Sequence, residues 1–142
     1  MTSPAPSVIH QILLIENDAQ HAQLIRNALS TKANLRVHIL PDVVTAIRFL
    51  AKRDGFVHAP TPDFILVDFD LPYFSGTVLL EERRRRPHWS SVPVVMLSRS
   101  VDDRLDCLAH GADGHVVKPA DATSWRRLVE EVLVRHLPLA TL

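Results

Sequence analysis

The sequence has one cysteine, Cys107, in 142 residues, so no disulfide can form within the chain. A reactive thiol there would need a lowered pKa, and the helical pattern around it leads us to expect a half-buried, inert side chain. Glycine is scarce, with four residues, and aromatics make up 6%. Collagen-like and glycine-rich low-complexity chains are thereby excluded. Neither sign of charge is in excess: sixteen Lys+Arg face sixteen Asp+Glu, for a formal net charge of +0. That balance gives no electrostatic reason to expect nucleic acid or an anionic membrane as partner. No apolar run approaches the roughly 18 residues of a membrane span. Residues 1–7 carry neither the positive charge nor the apolar stretch of a signal peptide. They read as a short disordered tail on a cytoplasmic protein. Lysine is rare too, confined to Lys32, Lys52 and Lys118.

What is present is an ordinary globular composition, 46% hydrophobic and 23% charged. The length suits one domain, expected over residues 8–137. Short apolar runs alternate with amphipathic helical stretches. Residues 8–15 end in the run Ile12-Leu13-Leu14-Ile15, continuous as in a strand buried on both faces. Ala19–Leu29 places Ala22, Ile25, Ala28 and Leu29 on one helical face behind a capping Asp18. Leu35–Leu40 alternates like an edge strand. Asp42 caps a second helix that ends near Gly55. A third strand, Phe64-Ile65-Leu66-Val67, stops at Asp68. Helices are expected at 77–86 and 101–110, strands at 92–97 and 115–117, and Asp121 caps a last helix carrying Trp125. The run Arg83-Arg84-Arg85-Arg86 reads as a solvated helix end complementing the helix dipole.

Five such strand–helix units imply an α/β fold: a doubly wound, five-stranded parallel sheet covered by helices on both faces. Sites in such sheets lie beyond the carboxyl ends of the strands, at a topological switch point. Glu16, Asn17 and Asp18 stand just past the first strand, Asp68 and Asp70 past the third, Ser98, Arg99 and Ser100 past the fourth, and Lys118 past the fifth. Carboxylates crowded together need a cation among them. Mg²⁺ suits such a group, taking one or two carboxylates, waters and phosphate oxygens. A hydroxyl and an ammonium beside it can receive the remaining oxygens of a phosphoryl group. The set describes phosphoryl transfer to an Asp.

The motifs Leu13-Leu14-Ile15-Glu16-Asn17-Asp18, Ile65-Leu66-Val67-Asp68-Phe69-Asp70-Leu71-Pro72, Val94-Val95-Met96-Leu97-Ser98 and Gly114-His115-Val116-Val117-Lys118-Pro119 resemble those of the response regulator receiver domain of two-component signalling. The resemblance covers nearly the whole chain, residues 9–137. It implies the strand order 2-1-3-4-5 and a phosphoacceptor, Asp68, that takes its phosphoryl group from a partner histidine kinase. It also implies a metal set of Glu16, Asn17, Asp68 and Asp70, a hydroxyl switch at Ser98, a neutralising Lys118 and a cis bond to Pro119. The full stretch at residues 53–63 looks like that of the single-domain regulators paired with bacterial phytochrome kinases, although a neutral surface insertion reads equally well.

Three departures from the family pattern stand out. Asn17 occupies the place of a metal-binding acid, so Mg²⁺ should bind weakly, with Asp18 either compensating or held in the helix cap. Arg99 follows Ser98 where a small residue is usual, and would cover the site, pair with Asp70 or lie solvated. His115 replaces the usual switch aromatic. Only a short segment follows the last helix, so the expected output is through protein contacts, with the apolar residues 138–142 extending a homodimer interface. An enzymatic role is not expected beyond slow self-catalysed phosphotransfer. Two other readings compete: a degenerate receiver that binds partners without phosphorylation, favoured by Asn17, and a phosphohydrolase of the haloacid dehalogenase type. The latter shares Asp68-Phe69-Asp70, but its motif lies on an early strand and is usually followed by Gly-Thr or Gly-Val, not by Leu71-Pro72.

Overall fold

The computed structural model describes residues 8–137. The tails expected at 1–7 and 138–142 lie outside them. Five strands, β1 (His10–Ile15), β2 (Leu35–Leu40), β3 (Phe64–Asp68), β4 (Val94–Ser98) and β5 (Gly114–Val117), form one parallel sheet in the order β2-β1-β3-β4-β5. Five helices connect and cover them: α1 (Ala19–Leu29), α2 (Val43–Leu50), α3 (Thr77–Arg84), α4 (Arg104–Ala109) and α5 (Ala122–His136).

The central strands are apolar throughout because both of their faces are covered. Their side chains alternate between two cores. Leu13, Ile15, Ile65, Val67, Val94 and Met96 pack with α2 and α3 and with Cys107 of α4. Ile12, Leu14, Phe64, Leu66, Val95 and Leu97 pack with α1 and α5, including Trp125. Period-2 alternation thus fills two cores from one sheet. Leu137, the last residue of the expected domain, is buried in the second core.

Helix starts follow the expected caps: Asp18, Asp42 and Asp121 accept backbone N–H groups of the first turns of α1, α2 and α5. The fourth helix begins differently from the expected continuous run over 101–110. Ser100 Oγ accepts from the Asp102 N–H, and Val101–Asp103 forms a 3-10 turn before α4. A hydroxyl cap so close to the strand end tightens the first turn.

The arginine run is not uniformly solvated. The Arg83 guanidinium donates to the Val92 carbonyl and Asp113 Oδ2, each at 2.8 Å, and to the Gly111 carbonyl at 2.6 Å. It ties the end of α3 to the entries of β4 and β5. The planar guanidinium fork, with five N–H donors in fixed directions, suits three acceptors placed around one plane.

Candidate functional site

The chain leaves β1 towards β2 on one side and reaches β3 on the other, so a crevice opens between the carboxyl ends of β1 and β3. Glu16 follows β1 and Asp68 ends β3, and both are buried. Lys118, just past β5, reaches back across the sheet edge. Its ammonium lies 2.9 Å from Asp68 Oδ2, 3.0 Å from Glu16 Oε2 and 3.1 Å from His21 Nδ1. The Lys118 backbone is fixed by its N–H donating to the Ser98 carbonyl at 2.7 Å. Its side chain is 6% exposed, so the charge sits inside the protein and interacts more strongly than it would in water.

Each carboxylate spends one oxygen on its own loop. Glu16 Oε1 accepts the Asp18 N–H and Asp68 Oδ1 accepts the Asp70 N–H, both at 3.1 Å. The other oxygens face each other across the ammonium. Glu16 Oε2 is at ion-pair distance from Lys118 but off the hydrogen-bond direction, leaving it a buried oxygen without a hydrogen bond. Burial, with the Asp68 carboxylate beside it, pushes the Glu16 carboxyl up to about 7, against the pull of the Asp18 N–H and Lys118.

A close approach of α3 completes the floor. A Cβ at Gly76 would lie 2.5 Å from the Asp68 carbonyl oxygen and 2.8 Å from Met96 Cε, so only glycine fits there.

Ser98 and His115 form a second cluster. Both are buried; Ser98 Oγ donates to the Ser100 carbonyl at 2.9 Å and lies 2.6 Å from His115 Nε2. Because the single hydroxyl proton goes to Ser100, His115 Nε2 carries the proton it donates to Ser98. His115 Nδ1 is then a bare, buried acceptor without a partner. Burial first, and then the nearby Arg104 charge, hold the His115 pKa below the usual range. The Ser98 hydroxyl is thus engaged away from Asp68, with no bond to Asp68 or Lys118.

Asn17 and Asp70 are exposed beside the crevice. Asp18 is committed to the cap, its Oδ1 accepting from Gln20 and His21. Arg99 is exposed and has no ion pair with Asp70. No described peptide bond is cis, so Pro119 follows a trans bond, contrary to the resemblance. Trans is the lower-energy form of an X–Pro bond by about 0.5–1 kcal/mol. Among the described residues, no three His, Cys, Asp or Glu side chains converge as a ready-made metal cage. Glu16 and Asp68 nevertheless fit a divalent cation: they are two crowded carboxylates, one with an orphaned buried oxygen, and Mg²⁺ needs no more than one or two.

The sequence reading missed His21. It lies 97 positions from Lys118, and the two meet only because the fold carries the end of β5 and the start of α1 to the same crevice.

The response regulator receiver domain family matches residues 12–130. The chain belongs to the response regulator receiver family. The receiver is 33% identical over 137 residues to the two-component response regulator-like protein APRR5 of Arabidopsis thaliana, covering 95% of this chain and 24% of that protein. It is 32% identical over 90 residues to response regulator Rcp1 of Synechocystis, covering 63% of this chain and 61% of Rcp1. The receiver therefore spans less than two thirds of these relatives. The phosphorylated cyanobacterial phytochrome response regulator RcpA superposes with a TM-score of 0.87 at 27% identity, over 94% of this chain and 98% of that one. The Mn²⁺-bound form of Rcp1 gives 0.82 at 26% identity over the same shares. The five-stranded order agrees with these receivers. No helix among the described residues is long and apolar enough to cross a membrane.

Proposed function

We propose that the protein is a response regulator that accepts a phosphoryl group on Asp68 from a phosphohistidine of a sensor histidine kinase, and passes the signal on through protein contacts in the cytoplasm. One observation carries this reading: Lys118 holds its ammonium 2.9 Å from the carboxylate that ends β3. In the transfer, the N–P bond of the donor breaks and its electron pair returns to the imidazole nitrogen. A lone pair on an Asp68 carboxylate oxygen forms the new O–P bond. Lys118 neutralises charge on the transferred group, and Ser98 exchanges the Ser100 carbonyl for a phosphoryl oxygen. Positioning and neutralisation are what such a transfer asks of the protein. Glu16, Asp68, the Asp70 carbonyl and Asn17 would hold a divalent cation, which supplies further neutralisation of the phosphoryl oxygens when bound. Asn17 makes that binding weak, because it offers a neutral oxygen where an anionic one would attract more strongly. The role is that of a phosphoacceptor with slow self-catalysed chemistry, not of an enzyme acting on free substrates.

Rcp1 and RcpA are similar to this chain, and RcpA is a phytochrome response regulator. They support a bacterial phytochrome kinase as the donor. Labelled phosphoryl should pass from such a kinase to the wild type and not to Asp68→Asn; full labelling of that variant overturns the reading. Exposed Asn17 favours a second reading, a phosphorylation-independent binding module, and that reading gains if the wild type takes no label either.

A homodimer is part of the proposal. Val101, Leu105, Leu108 and Val117 leave an exposed apolar patch over the 3-10 turn, α4 and β5. Light scattering should give twice the 15.9 kDa chain mass, reduced by Leu105→Glu. A monomer at every accessible concentration contradicts it.

A further inference from the structure

His21 sits in the first turn of α1, with its own backbone N–H bonded to Asp18 Oδ1 at 3.0 Å. Its ring packs against Trp125 of α5, with centroids 5.5 Å apart and planes tilted by 35°. Trp125 is 1% exposed, so that wall of the pocket is fixed in the core. The ring is thus held by the backbone on one side and an immobile indole on the other. Its Nδ1 lies 3.1 Å from Lys118 Nζ and 3.7 Å from Asp18 Oδ2. The nearer contact is within hydrogen-bond reach and the farther one is not. An ammonium has only protons to offer, so Nδ1 accepts, and the ring proton is on Nε2.

We propose that His21 is a positioning residue for phosphoryl transfer, the second tether that keeps the Lys118 ammonium in place while Asp68 changes from carboxylate to acyl phosphate. The inference rests on the phosphoacceptor reading and adds a residue to it. The three ammonium protons face Asp68 Oδ2, Glu16 Oε2 and His21 Nδ1. When the N–P bond of the donor breaks and the O–P bond to Asp68 forms, Asp68 loses much of its pull on the ammonium. The proton that faced it turns to a phosphoryl oxygen. The other two contacts must hold the nitrogen still. The Glu16 contact lies off the hydrogen-bond direction, so alone it would let the ammonium pivot. His21 supplies the better-directed of the two. Because its ring is fixed by Trp125, the tether costs little ordering when the phosphoryl group arrives.

The test compares wild type, His21→Ala and His21→Asn for the rate at which acetyl phosphate and Mg²⁺ label the full chain. Asn keeps an acceptor oxygen near the Nδ1 position and Ala does not. A directed hydrogen bond to a charged group accounts for about tenfold in rate. His21→Ala should therefore label about tenfold more slowly, with His21→Asn recovering most of the loss and both melting like the wild type. Nitrogen NMR of the unmodified wild type gives an independent readout and should show the His21 proton on Nε2. Equal rates for His21→Ala and wild type, equally slow rates for both variants, or a proton on Nδ1 overturns the tether. A wild type that takes no label at all overturns the phosphoacceptor reading as well, so the two failures are distinct.

Discussion

At the amino ends of β4 and β5, Asp113 receives the Arg83 guanidinium and the Val94 N–H, each at 2.8 Å. At the carboxyl ends of β1 and β3, Glu16 shares one ammonium with Asp68 and keeps an oxygen without a hydrogen bond. The same sheet thus carries two acid–base clusters of opposite character. Burial alone would raise the Asp113 carboxyl, but Arg83 and the Val94 N–H more than reverse it and hold it below the usual range. Burial raises the Glu16 carboxyl too, and there nothing reverses it. A cluster with a partner for each acceptor holds strands together. A cluster with two acids for one cation, left short of a charge, is ready to receive one.

The largest expected effect is structural and lies away from the crevice. Arg83→Ala strands the Val92 and Gly111 carbonyls and leaves Asp113 with the Val94 N–H alone, and should cost about 2–3 kcal/mol in urea unfolding, discounted for the exposure of Asp113. Labelling of Asp68 in that variant should proceed at the wild-type rate while it remains folded. A slower rate at unchanged fold would show that the two clusters are coupled.

Next comes the metal. Asn17→Asp adds an anionic ligand, and Coulomb attraction of about 1–4 kcal/mol at 4 Å brackets the gain. Mg²⁺ should bind about tenfold more tightly, which is about 1.4 kcal/mol. An unchanged titration would show that Asp18 leaves its cap to serve the ion.

A further effect concerns pH. The Glu16 carboxyl titrates near 7 in the folded protein against 4.5 as a free side chain. Between those values the folded state binds the extra proton, so stability falls as pH rises through that window. Glu16→Gln should remove most of that fall in melting temperature between about pH 5 and about pH 8. An equally steep profile in the variant would assign the titration elsewhere. The smallest effect is at Cys107, fully buried against α3 and β4, where burial and then Asp103 and Asp106 push the thiol up to about 11. It should resist thiol reagents until the protein unfolds, and rapid native labelling would mean that α4 opens.

Much of this contrast can be read along the chain, and the missing parts share a cause. Ala19–Leu29 and Leu35–Leu40 form where periodicity and capping place them. Glu16, Asp68, Ser98 and Lys118 stand at strand ends because the apolar runs stop there. These are local signals. The partners that give each cluster its character are not local. His21 meets Lys118 across 97 positions and Arg83 meets Asp113 across 30. Nothing distinguishes Arg83 from Arg84, Arg85 and Arg86 except which face of α3 turns towards β4 and β5. The sequence likewise shows that His115 replaces an aromatic, but not that its Nε2 lies 2.6 Å from Ser98 Oγ. The 3-10 turn before α4 depends on a side-chain cap from Ser100 that competes with a regular first turn.

The central claim is that the charge-deficient cluster, and within it Asp68, receives the phosphoryl group. Incubating the protein with acetyl phosphate and Mg²⁺, then reducing any acyl phosphate to an alcohol with borohydride, leaves a permanent mark on the modified residue. Peptide mass mapping should find that mark on Asp68 alone, and on no residue of Asp68→Asn. A mark on Asp70, Glu16 or another carboxylate, or none on the wild type, would contradict the account.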